Sequence, residues 1–477
     1  MELATLAAYA LQTGDTVAFV DQFGANPSRL ADAGDHYLQG EPIDTPAWRE
    51  RLEQAEAFVL YAISYMSHGD LLVTIRWLKD SFPERPVAVL ENSQAVTAYS
   101  LECMAPSFFD AGADLLICGE PYFNWAAIKR QLTEKGHDPS IVPNVITRES
   151  RVSPRRFNEK LDRYPIPAWD LMNLDGYWRL PYAHGPKTRK FLPILTSRGC
   201  PYPCDFCVVP ETNDKQWRGN DPEQVVDEMI ALRDQYGVHD FQVEDLNPTV
   251  QPHRWEKICE LLIKRKADIR FYFVSGTKAE TVPVDKTALF AKAGCRYLSI
   301  SPESGSSDLM QVMGKRFDYS RGVELIAACK ACGIRTQACF LVGHPNETEK
   351  DLELSNSYLS RLVKAGLDEV AVFVLAPFAG SELHRRKSII LKDQNTLISF
   401  SPKGRADYEM LSRSRRMLVR TFLIQKLKYN GIELCLQGLR AILGVPETKV
   451  ENLPRRMVFI YWQVLKLAVA KKSGPRS

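Results

Sequence analysis

Several features that would assign the chain to a membrane or secreted protein are missing from its sequence. No stretch reaches the roughly 18 uninterrupted apolar residues that a membrane-spanning helix needs. The first residues, Met1-Glu2-Leu3, place no basic segment before an apolar run, so we expect no secretory signal. The 11 cysteines are an odd number scattered along the chain, which does not indicate a disulfide framework. We therefore expect a cytoplasmic protein whose thiols stay reduced or bind metal.

The composition is that of a folded protein with two or three domains. The chain has 477 residues, of which 45% are hydrophobic and 25% charged, and its net charge is +3. The charge is uneven, because residues 401–477 contain 16 Lys and Arg against 5 Asp and Glu. Such a basic region favours nucleic acid or an anionic membrane surface, or it is a solvated helical face. It matches no recognised nucleic-acid motif, so we expect no nucleic acid partner and a possible peripheral membrane contact.

Residues 1–140 alternate between strand and helix signals. Short apolar strands separated by helices are typical of a parallel sheet covered on both faces. In such sheets ligands bind at the carboxyl ends of the strands. We expect strands at 16–21, 58–64, 86–90 and 113–118, and a helix at about 70–81.

A second alternation follows a linker at 141–190, which is rich in Pro, Arg and Asn. Six βα units in succession over residues 191–385 indicate a partial barrel of the TIM type, with functional residues at the carboxyl ends of the strands. Residues 386–477 are expected to form a basic, amphipathic helical region. The expected barrel strands are 193–198, 239–244, 270–276, 296–301, 335–342 and 369–376, and the helices between them are 222–236, 252–266, 284–293, 320–332 and 348–365.

The strongest chemical signal is a loop with three cysteines directly after the first barrel strand. Cys200, Cys204 and Cys207 lie within eight residues, and Phe206 precedes the third cysteine. Thiolates are soft ligands that suit iron–sulfur clusters or zinc. A structural zinc site needs four ligands, and no fourth Cys or His lies nearby in the sequence. Three ligands on a four-iron cluster leave one iron open to a substrate.

This CxxxCxxC loop resembles that of the radical S-adenosylmethionine (radical SAM) superfamily. The resemblance implies a [4Fe–4S] cluster on the three cysteines, whose open iron chelates S-adenosylmethionine and whose electron releases a 5′-deoxyadenosyl radical. It also implies cofactor contacts from Phe206 and from the ends of the second and fourth barrel strands. Asp245 matches the first of these ends, and Glu303, Ser304 and Gly305 match the second. For both ends a helix cap is the alternative interpretation.

A Rossmann-like domain before such a barrel resembles the cobalamin-binding subgroup of this superfamily. Gly119 and Glu120 match the turn after that subgroup's last strand, and Glu91, Asn92 and Ser93 stand in its glycine-containing segment. The resemblance therefore implies that these residues contact cobalamin. Glu91 and Asn92 replace two glycines, so their side chains could crowd the nucleotide tail. The subgroup's first strand is missing, so either the true start codon lies upstream, which we favour, or the domain is rebuilt without this strand. His68 follows a strand and is a weak candidate for approaching the corrin.

These patterns support three hypotheses from different classes. The first is a cobalamin-dependent radical SAM enzyme that methylates an unactivated carbon of a small-molecule or lipid-like substrate. The second is a cyclase or oxidoreductase of the same subgroup that forms the radical but transfers no methyl group. The third is a structural protein that carries zinc or a cluster and associates with nucleic acid. Both enzymatic hypotheses imply a one-electron donor such as flavodoxin or ferredoxin. The fold class common to these two is α/β, with a Rossmann-like cobalamin-binding-type domain, a partial (β/α)6 barrel and a helical C-terminal region.

Overall fold

The N-terminal part of the chain is a four-stranded sheet packed between helices. The computed structural model describes residues 1–477 except 33–36, 135–141, 151–156, 158–160, 162–163, 393–396, 399–400 and 474–477. The helices of this part are α1 (Glu2–Gln12), α2 (Gln22–Ala25), α3 (Pro46–Gln54), α4 (His68–Ser81), α5 (Leu101–Asp110) and α6 (Trp125–Thr133). The strands are β1 (Leu30–Asp32), β2 (Tyr37–Gln39), β3 (Phe58–Ala62), β4 (Val87–Glu91), β5 (Leu115–Ile117) and β6 (Val145–Ile146).

The sheet has the order β3-β4-β5-β6, with β3, β4 and β5 parallel and β6 antiparallel. Strand β4 is buried along its whole length, which explains its continuous apolar sequence. One face packs on α1 and α6 through Leu6 and Ile128, and the other on α4 and α5 through Ile75 and Phe108. The predicted strands over 58–64, 86–90 and 113–118 are confirmed, as is the helix over 70–81.

The predicted strand over 16–21 is wrong, because these residues are irregular. A strand needs a neighbour with which to form a hydrogen-bonded ladder. In the described part of the chain β3 pairs only with β4, and residues 16–21 do not pair with its other edge. The apolar side chains of Val17 and Phe19 instead pack against α1.

The second half of the chain is an open barrel of six parallel strands in the order β7-β10-β11-β12-β13-β14. Its strands are β7 (Leu192–Ile194), β10 (Asp240–Val243), β11 (Arg270–Thr277), β12 (Cys295–Glu303), β13 (Arg335–Val342) and β14 (Glu369–Val374). A hairpin of β8 (Ser197–Gly199) and β9 (Trp217–Gly219) follows β7. The helices are α7 (Leu174–Arg179) in the linker, then α8 (Val209–Thr212), α9 (Pro222–Tyr236), α10 (Pro252–Lys264), α11 (Thr287–Ala293), α12 (Ser307–Val312), α13 (Tyr319–Ala331) and α14 (Glu349–Ala365).

All six predicted barrel strands are confirmed in position, but the first is split. Only Leu192–Ile194 pairs with β10, whereas Ser197–Gly199 turns away into the hairpin with β9. The predicted helices lie on the outside of the sheet, where their buried faces complete one large core. The fold class predicted from the sequence is therefore confirmed, whereas the domain boundaries stay a prediction.

The C-terminal region packs along the last barrel strand and then closes the floor of the barrel. It contains α15 (Glu382–Arg385), β15 (Leu397–Ile398), β16 (Ser401–Pro402), α16 (Tyr408–Leu443) and α17 (Leu453–Ser473). Helix α16 is kinked at Asn430, whose backbone angles are not helical. The buried Lys426 donates hydrogen bonds to the carbonyls of Leu367 and Asp368 at the start of β14.

After α16, Lys449 enters the barrel from below. Its ammonium donates to the carbonyl of Val274 at 2.9 Å, and the next backbone N–H, of Val450, donates to Glu369 at 2.7 Å. The Lys449–Val450 segment therefore forms the floor of the barrel. None of the helices in the described part of the chain has the length and apolar character needed to cross a membrane.

Candidate functional site

The three cysteines lie in the loop between β8 and α8, within the connection that joins β8 to β9, beyond the carboxyl end of the first barrel strand. Gly199 begins this loop at a φ of +77°, where a Cβ atom would collide with the carbonyl of Gln216. Across the loop, Gly314 has a φ of +69°, and a Cβ atom there would stand 2.6 Å from the carbonyl oxygen of Pro203. Both glycines let another backbone approach closely, so the loop is held against its surroundings.

All three cysteines are free thiols. Burial raises the pKa of each thiol, that of Cys204 to about 11, and the nearby Lys315 ammonium opposes this effect. In the described part of the chain, no three His, Cys, Asp or Glu side chains surround one point as they would around a single metal ion. A cubane cluster does not require such convergence, because each thiolate binds a different iron.

Asp205, between the second and third cysteines, fastens the loop to the rest of the barrel. Its backbone N–H donates to Met313, and its carbonyl accepts from Leu383. Its carboxylate accepts from His344 Nε2 at 3.2 Å and from Arg386 at 3.4 Å. His344 Nδ1 accepts a hydrogen bond from the N–H of Asn346, so Nε2 carries the proton. Three separate parts of the chain therefore hold the cysteine loop through one residue.

Phe206 contributes packing to the same loop. Its ring lies against the buried residues Leu309 and Met310 in α12 and Met313 at the C-terminal end of that helix. On the other side of the loop, the ring of Tyr202 lies 4.2 Å from the ammonium of Lys278. The cysteine loop therefore has apolar side chains on one side and the ammonium of Lys278 on the other.

Glu303 and Lys315 form a buried ion pair beside the cysteines. The Lys315 ammonium donates to Glu303 at 2.5 Å and to Ser301 at 2.9 Å. Burial acts to lower the pKa of Lys315, but Glu303 and the two nearest cysteines outweigh it, so that the pKa is raised. Glu303 has a φ of +58°, which is strained for a residue other than glycine. A cation is therefore held in front of Cys200 and Cys204.

Ser304 and Gly305 contact helix α14. Ser304 lies within hydrogen-bond distance of Ser355 on α14, and the N–H of Gly305 donates to the same hydroxyl at 2.9 Å. A Cβ atom at Gly305 would collide with the carbonyl of Leu354. Of the segment predicted after the fourth barrel strand, only Glu303 thus faces the loop.

Asp245 is engaged by the residues that lead into the cysteine loop. Its carboxylate accepts hydrogen bonds from the N–H and hydroxyl of Thr196, both at 2.7 Å, and from Ser197 at 2.5 Å. These contacts tie the end of β10 to the hairpin that carries the loop. In this structure Asp245 positions the hairpin.

The predicted cobalamin residues at the ends of β4 and β5 are buried and engaged within the protein. Glu91 accepts hydrogen bonds from the N–H groups of Leu101 and Gly119, at 3.1 and 2.8 Å. Asn92 donates to the carbonyl of Ile63. Ser93 accepts a hydrogen bond at its carbonyl from the Asn213 side chain at 2.6 Å. The neighbouring Gln94 accepts from the N–H of Gly199, so these strand ends contact the start of the cysteine loop.

Glu120 forms the second link between the two halves of the chain. Arg218 on β9 donates two hydrogen bonds to it, at 2.6 and 2.8 Å, and Tyr164 donates a third at 2.6 Å. Burial acts to raise the pKa of this carboxyl, but Arg218 and Arg198 outweigh it and lower the pKa. Arg198 in turn pairs with Glu2 at 2.9 Å. The cofactor role predicted for Glu120 is therefore accompanied by a structural one.

His68, the weak candidate for the corrin, has both ring nitrogens occupied. Tyr99 and Ser107 each lie 3.1 Å from one of them, and burial lowers its pKa to about 4. It belongs to an aromatic cluster inside the N-terminal part. Sequence reasoning assigned no role to Lys315, which is close to the cysteines only because β12 and α12 fold back onto the loop.

Comparisons with known proteins agree with this geometry. Residues 194–359 match the model of the radical SAM superfamily. An uncharacterized methyltransferase from Pyrococcus horikoshii is 26% identical over 48% of this chain and 48% of its own length. The anaerobic magnesium-protoporphyrin IX monomethyl ester cyclase of Rubrivivax gelatinosus is 32% identical over 41% of this chain and 34% of its own. The chain thus spans about half the length, or less, of these curated relatives.

A solved structure extends the likeness to both halves of the chain. The radical S-adenosylmethionine methyltransferase TsrM from Kitasatospora setae, solved with cobalamin and a [4Fe–4S] cluster bound, superposes with a TM-score of 0.61. The match covers 80% of this chain and 74% of TsrM at 16% sequence identity. At this identity the likeness concerns the fold.

Proposed function

The chain carries a radical SAM domain at residues 194–359, and we propose that Cys200, Cys204 and Cys207 hold a [4Fe–4S] cluster that cleaves S-adenosylmethionine reductively. One observation carries this proposal: three free thiols lie in one loop at the carboxyl end of the first barrel strand, with the floor of the barrel closed below them. When bound, the cluster supplies the electron that releases a 5′-deoxyadenosyl radical from S-adenosylmethionine.

The residues around the loop fit a cluster. Soft thiolates are the ligands that iron–sulfur clusters take. Burial opposes their ionisation, so a bound iron or a nearby cation must stabilise the negative charge. Lys315 stands in that position, and Glu303 orients it.

The polar groups of the loop region have definite tasks in this proposal. Lys315, held by Glu303, orients the charged end of S-adenosylmethionine. Phe206 and the apolar residues behind it exclude water from the thiols. Asp205, held by His344, keeps the loop in one conformation. We propose that the substrate, a small or lipid-like molecule with an unactivated carbon, enters the barrel above the cluster, and that flavodoxin or ferredoxin supplies the electron.

Methylation with cobalamin is the first candidate for the step that follows. The likeness to TsrM over both halves of the chain and the methyltransferases among the relatives support it. The residues at the strand ends do not fit the nucleotide tail of cobalamin, however. The Glu91 carboxylate occupies the place of a glycine and bridges two N–H groups, and the β8–β9 hairpin covers Ser93 and Glu120. We therefore derive no step through cobalamin.

The poor fit of the strand-end residues to the nucleotide tail of cobalamin favours a second candidate, a radical cyclisation or oxidation without methyl transfer. A cyclase is among the relatives, at 32% identity. This candidate needs no corrin, because no methyl group is transferred to the substrate. Both candidates use the same cluster and the same Lys315–Glu303 pair.

Anaerobic reconstitution with iron and sulfide tests the cluster. We expect charge-transfer absorbance and production of 5′-deoxyadenosine from S-adenosylmethionine after reduction. The Cys207→Ala variant should lose both signals, whereas the matched Cys435→Ala variant, at an exposed cysteine, should keep both. Bound zinc without charge-transfer absorbance would support the third, structural hypothesis instead.

Hydroxocobalamin separates the two candidate reactions without knowledge of the substrate. After incubation and gel filtration, a stoichiometric corrin spectrum on the protein would assign the methylating reaction. Absence of corrin together with active 5′-deoxyadenosine production would assign the reaction without methyl transfer. The Glu91→Gly variant is the control for the corrin measurement, because it removes the side chain that occupies the position expected for the nucleotide tail of cobalamin.

A further inference from the structure

The second half of α16 presents an unusual apolar stripe to solvent. Ile432, Leu439 and Ile442 recur at helical spacing and are 82%, 51% and 79% exposed. The charged residues of this segment lie on its other side, where Glu433 pairs with Arg335 at 2.8 Å and Arg440 lies 2.6 Å from Glu433. Exposed apolar surface of this extent marks an interaction site.

Helix α17 continues the apolar surface and adds aromatic residues to it. Met457, Tyr461 and Trp462 are 69%, 66% and 56% exposed. The opposite side of the helix is anchored, since Phe459 lies against the ring of Tyr182 with 6.3 Å between the ring centres. The aromatic residues therefore face outward while the helix itself is fixed to the protein.

The two helices meet at the turn after Leu443. Arg455 at the start of α17 donates a hydrogen bond to the carbonyl of Ile442 at 3.2 Å. The stripe on α16 consequently ends where the exposed side of α17 begins. We call these two exposed sides together the C-terminal surface.

Cations flank the C-terminal surface on its α16 side. Arg413, Arg416 and Arg420 recur at spacings of three and four residues, so they share the exposed side of the first half of the helix. Leu423 and Leu427 follow on the same side and are 49% and 66% exposed. Within the described residues, no carboxylate forms an ion pair with these three arginines. Their charge is therefore available to a partner.

We propose that the C-terminal surface docks the protein on a bilayer that contains anionic phospholipid. Anionic lipid headgroups are the negatively charged partners that the three arginines lack within the protein. The apolar side chains enter the boundary between headgroups and acyl chains. Tyr461 and Trp462 are the residue types that prefer this boundary. In this arrangement α16 and α17 lie along the plane of the membrane.

Charge favours a bilayer over a second copy of this chain. A two-fold interface brings the same patch of both subunits together, so the arginines would face each other or need acidic partners on that patch. Glu433 already pairs with Arg335 and Arg440, which leaves Glu409 as the acid near the arginines. A negatively charged lipid surface requires no such partner.

Vesicle flotation with the anaerobically reconstituted, full-length protein tests the proposal. We expect the protein to float with vesicles of phosphatidylcholine and phosphatidylglycerol at low salt, and to be released as salt increases. The triple variant Arg413→Gln, Arg416→Gln, Arg420→Gln should partition about 100-fold less, since each charge contributes about a fivefold factor. The double variant Tyr461→Ser, Trp462→Ser should also lose binding.

A matched triple variant controls for net charge. Lys257→Gln, Lys264→Gln, Lys266→Gln removes the same charge from α10 and the turn after it, and should leave flotation unchanged. Failure of the wild type to float with anionic vesicles would overturn the proposal. So would flotation that the arginine variant leaves intact, or a dimer in sedimentation that Trp462→Ser dissociates without any vesicle binding. The surface proposal does not depend on which reaction the barrel performs.

Discussion

Replacing Lys315 by methionine tests how the barrel supports the cysteine loop. Lys315 and Glu303 are each only 6% exposed, and 2.5 Å separates the ammonium from the carboxylate. Methionine keeps the length and apolar character of the lysine stem but removes the charge. The substitution therefore leaves Glu303 buried without a cation, in front of thiols that also need one.

The magnitude follows from the burial of both partners. Removing one member of a buried ion pair costs about 3–5 kcal/mol, because the remaining charge is not compensated. The double variant Lys315→Met, Glu303→Gln removes both charges and should recover much of that loss. With a urea slope of about 3 kcal/mol/M, the single variant should lower the unfolding midpoint by about 1–2 M.

Two measurements check this prediction. Anaerobic urea unfolding followed by circular dichroism gives the three midpoints, and iron content with S-adenosylmethionine binding gives the functional state of the loop. We expect the double variant to regain stability but to bind S-adenosylmethionine more weakly than the wild type. If the double variant is as unstable as the sum of the two single variants, the coupling between Lys315 and Glu303 does not exist and the reasoning is refuted.

Three further predictions concern other contacts. Gly314→Ala should lower iron content because its Cβ clashes with Pro203, whereas Gly333→Ala, at a similar φ of +76° in open space, should not; equal iron in both would contradict this. Because burial lowers the pKa of His68 from 6.5 to about 4, unfolded chains bind its proton first, and the unfolding free energy should fall by up to about 3 kcal/mol as pH decreases from 6.5 to 4; a His68→Gln variant should flatten that dependence in melts across this range. Glu120→Gln should cost about 3 kcal/mol in urea unfolding, because Arg218 loses its buried carboxylate; an unchanged midpoint would show that Arg218 has another acceptor.

Sequence reasoning located the strands well where burial alone determines them. Strand β4 and the barrel strands β10 to β14 are apolar runs between turn signals, and each of them pairs with a neighbouring strand. Residues 16–21 carry the same signal but form no strand, because pairing depends on a neighbour that the local sequence does not describe. The turn of Ser197–Gly199 out of the first barrel strand depends likewise on its partner, Trp217–Gly219.

The site was partly predictable for a related reason. The spacing of the three cysteines within one loop is enough to predict them as metal ligands. The direction of a side chain at a strand end depends on tertiary contacts, so Asp245 turned to the hairpin and Ser304 to α14. Glu303, the partner of Lys315 in the ion pair, has a positive φ. No sequence pattern predicts this backbone conformation. The cofactor roles of the individual residues therefore stay a prediction.

The position of Lys449 has a consequence for the synthesis of the protein. Lys449 and Val450 reach into the barrel beneath Val274 and Glu369, although they follow the last barrel strand by some seventy residues of chain. While the ribosome is still adding α16, the six strands have been made but their floor is open to water. Gln337 and Glu369 then lack the hydrogen bonds that Lys449 and Val450 donate to them. Closure of the barrel is thus a late step that waits until Lys449 and Val450 have been synthesised, and ending the chain before this segment removes the floor together with α17.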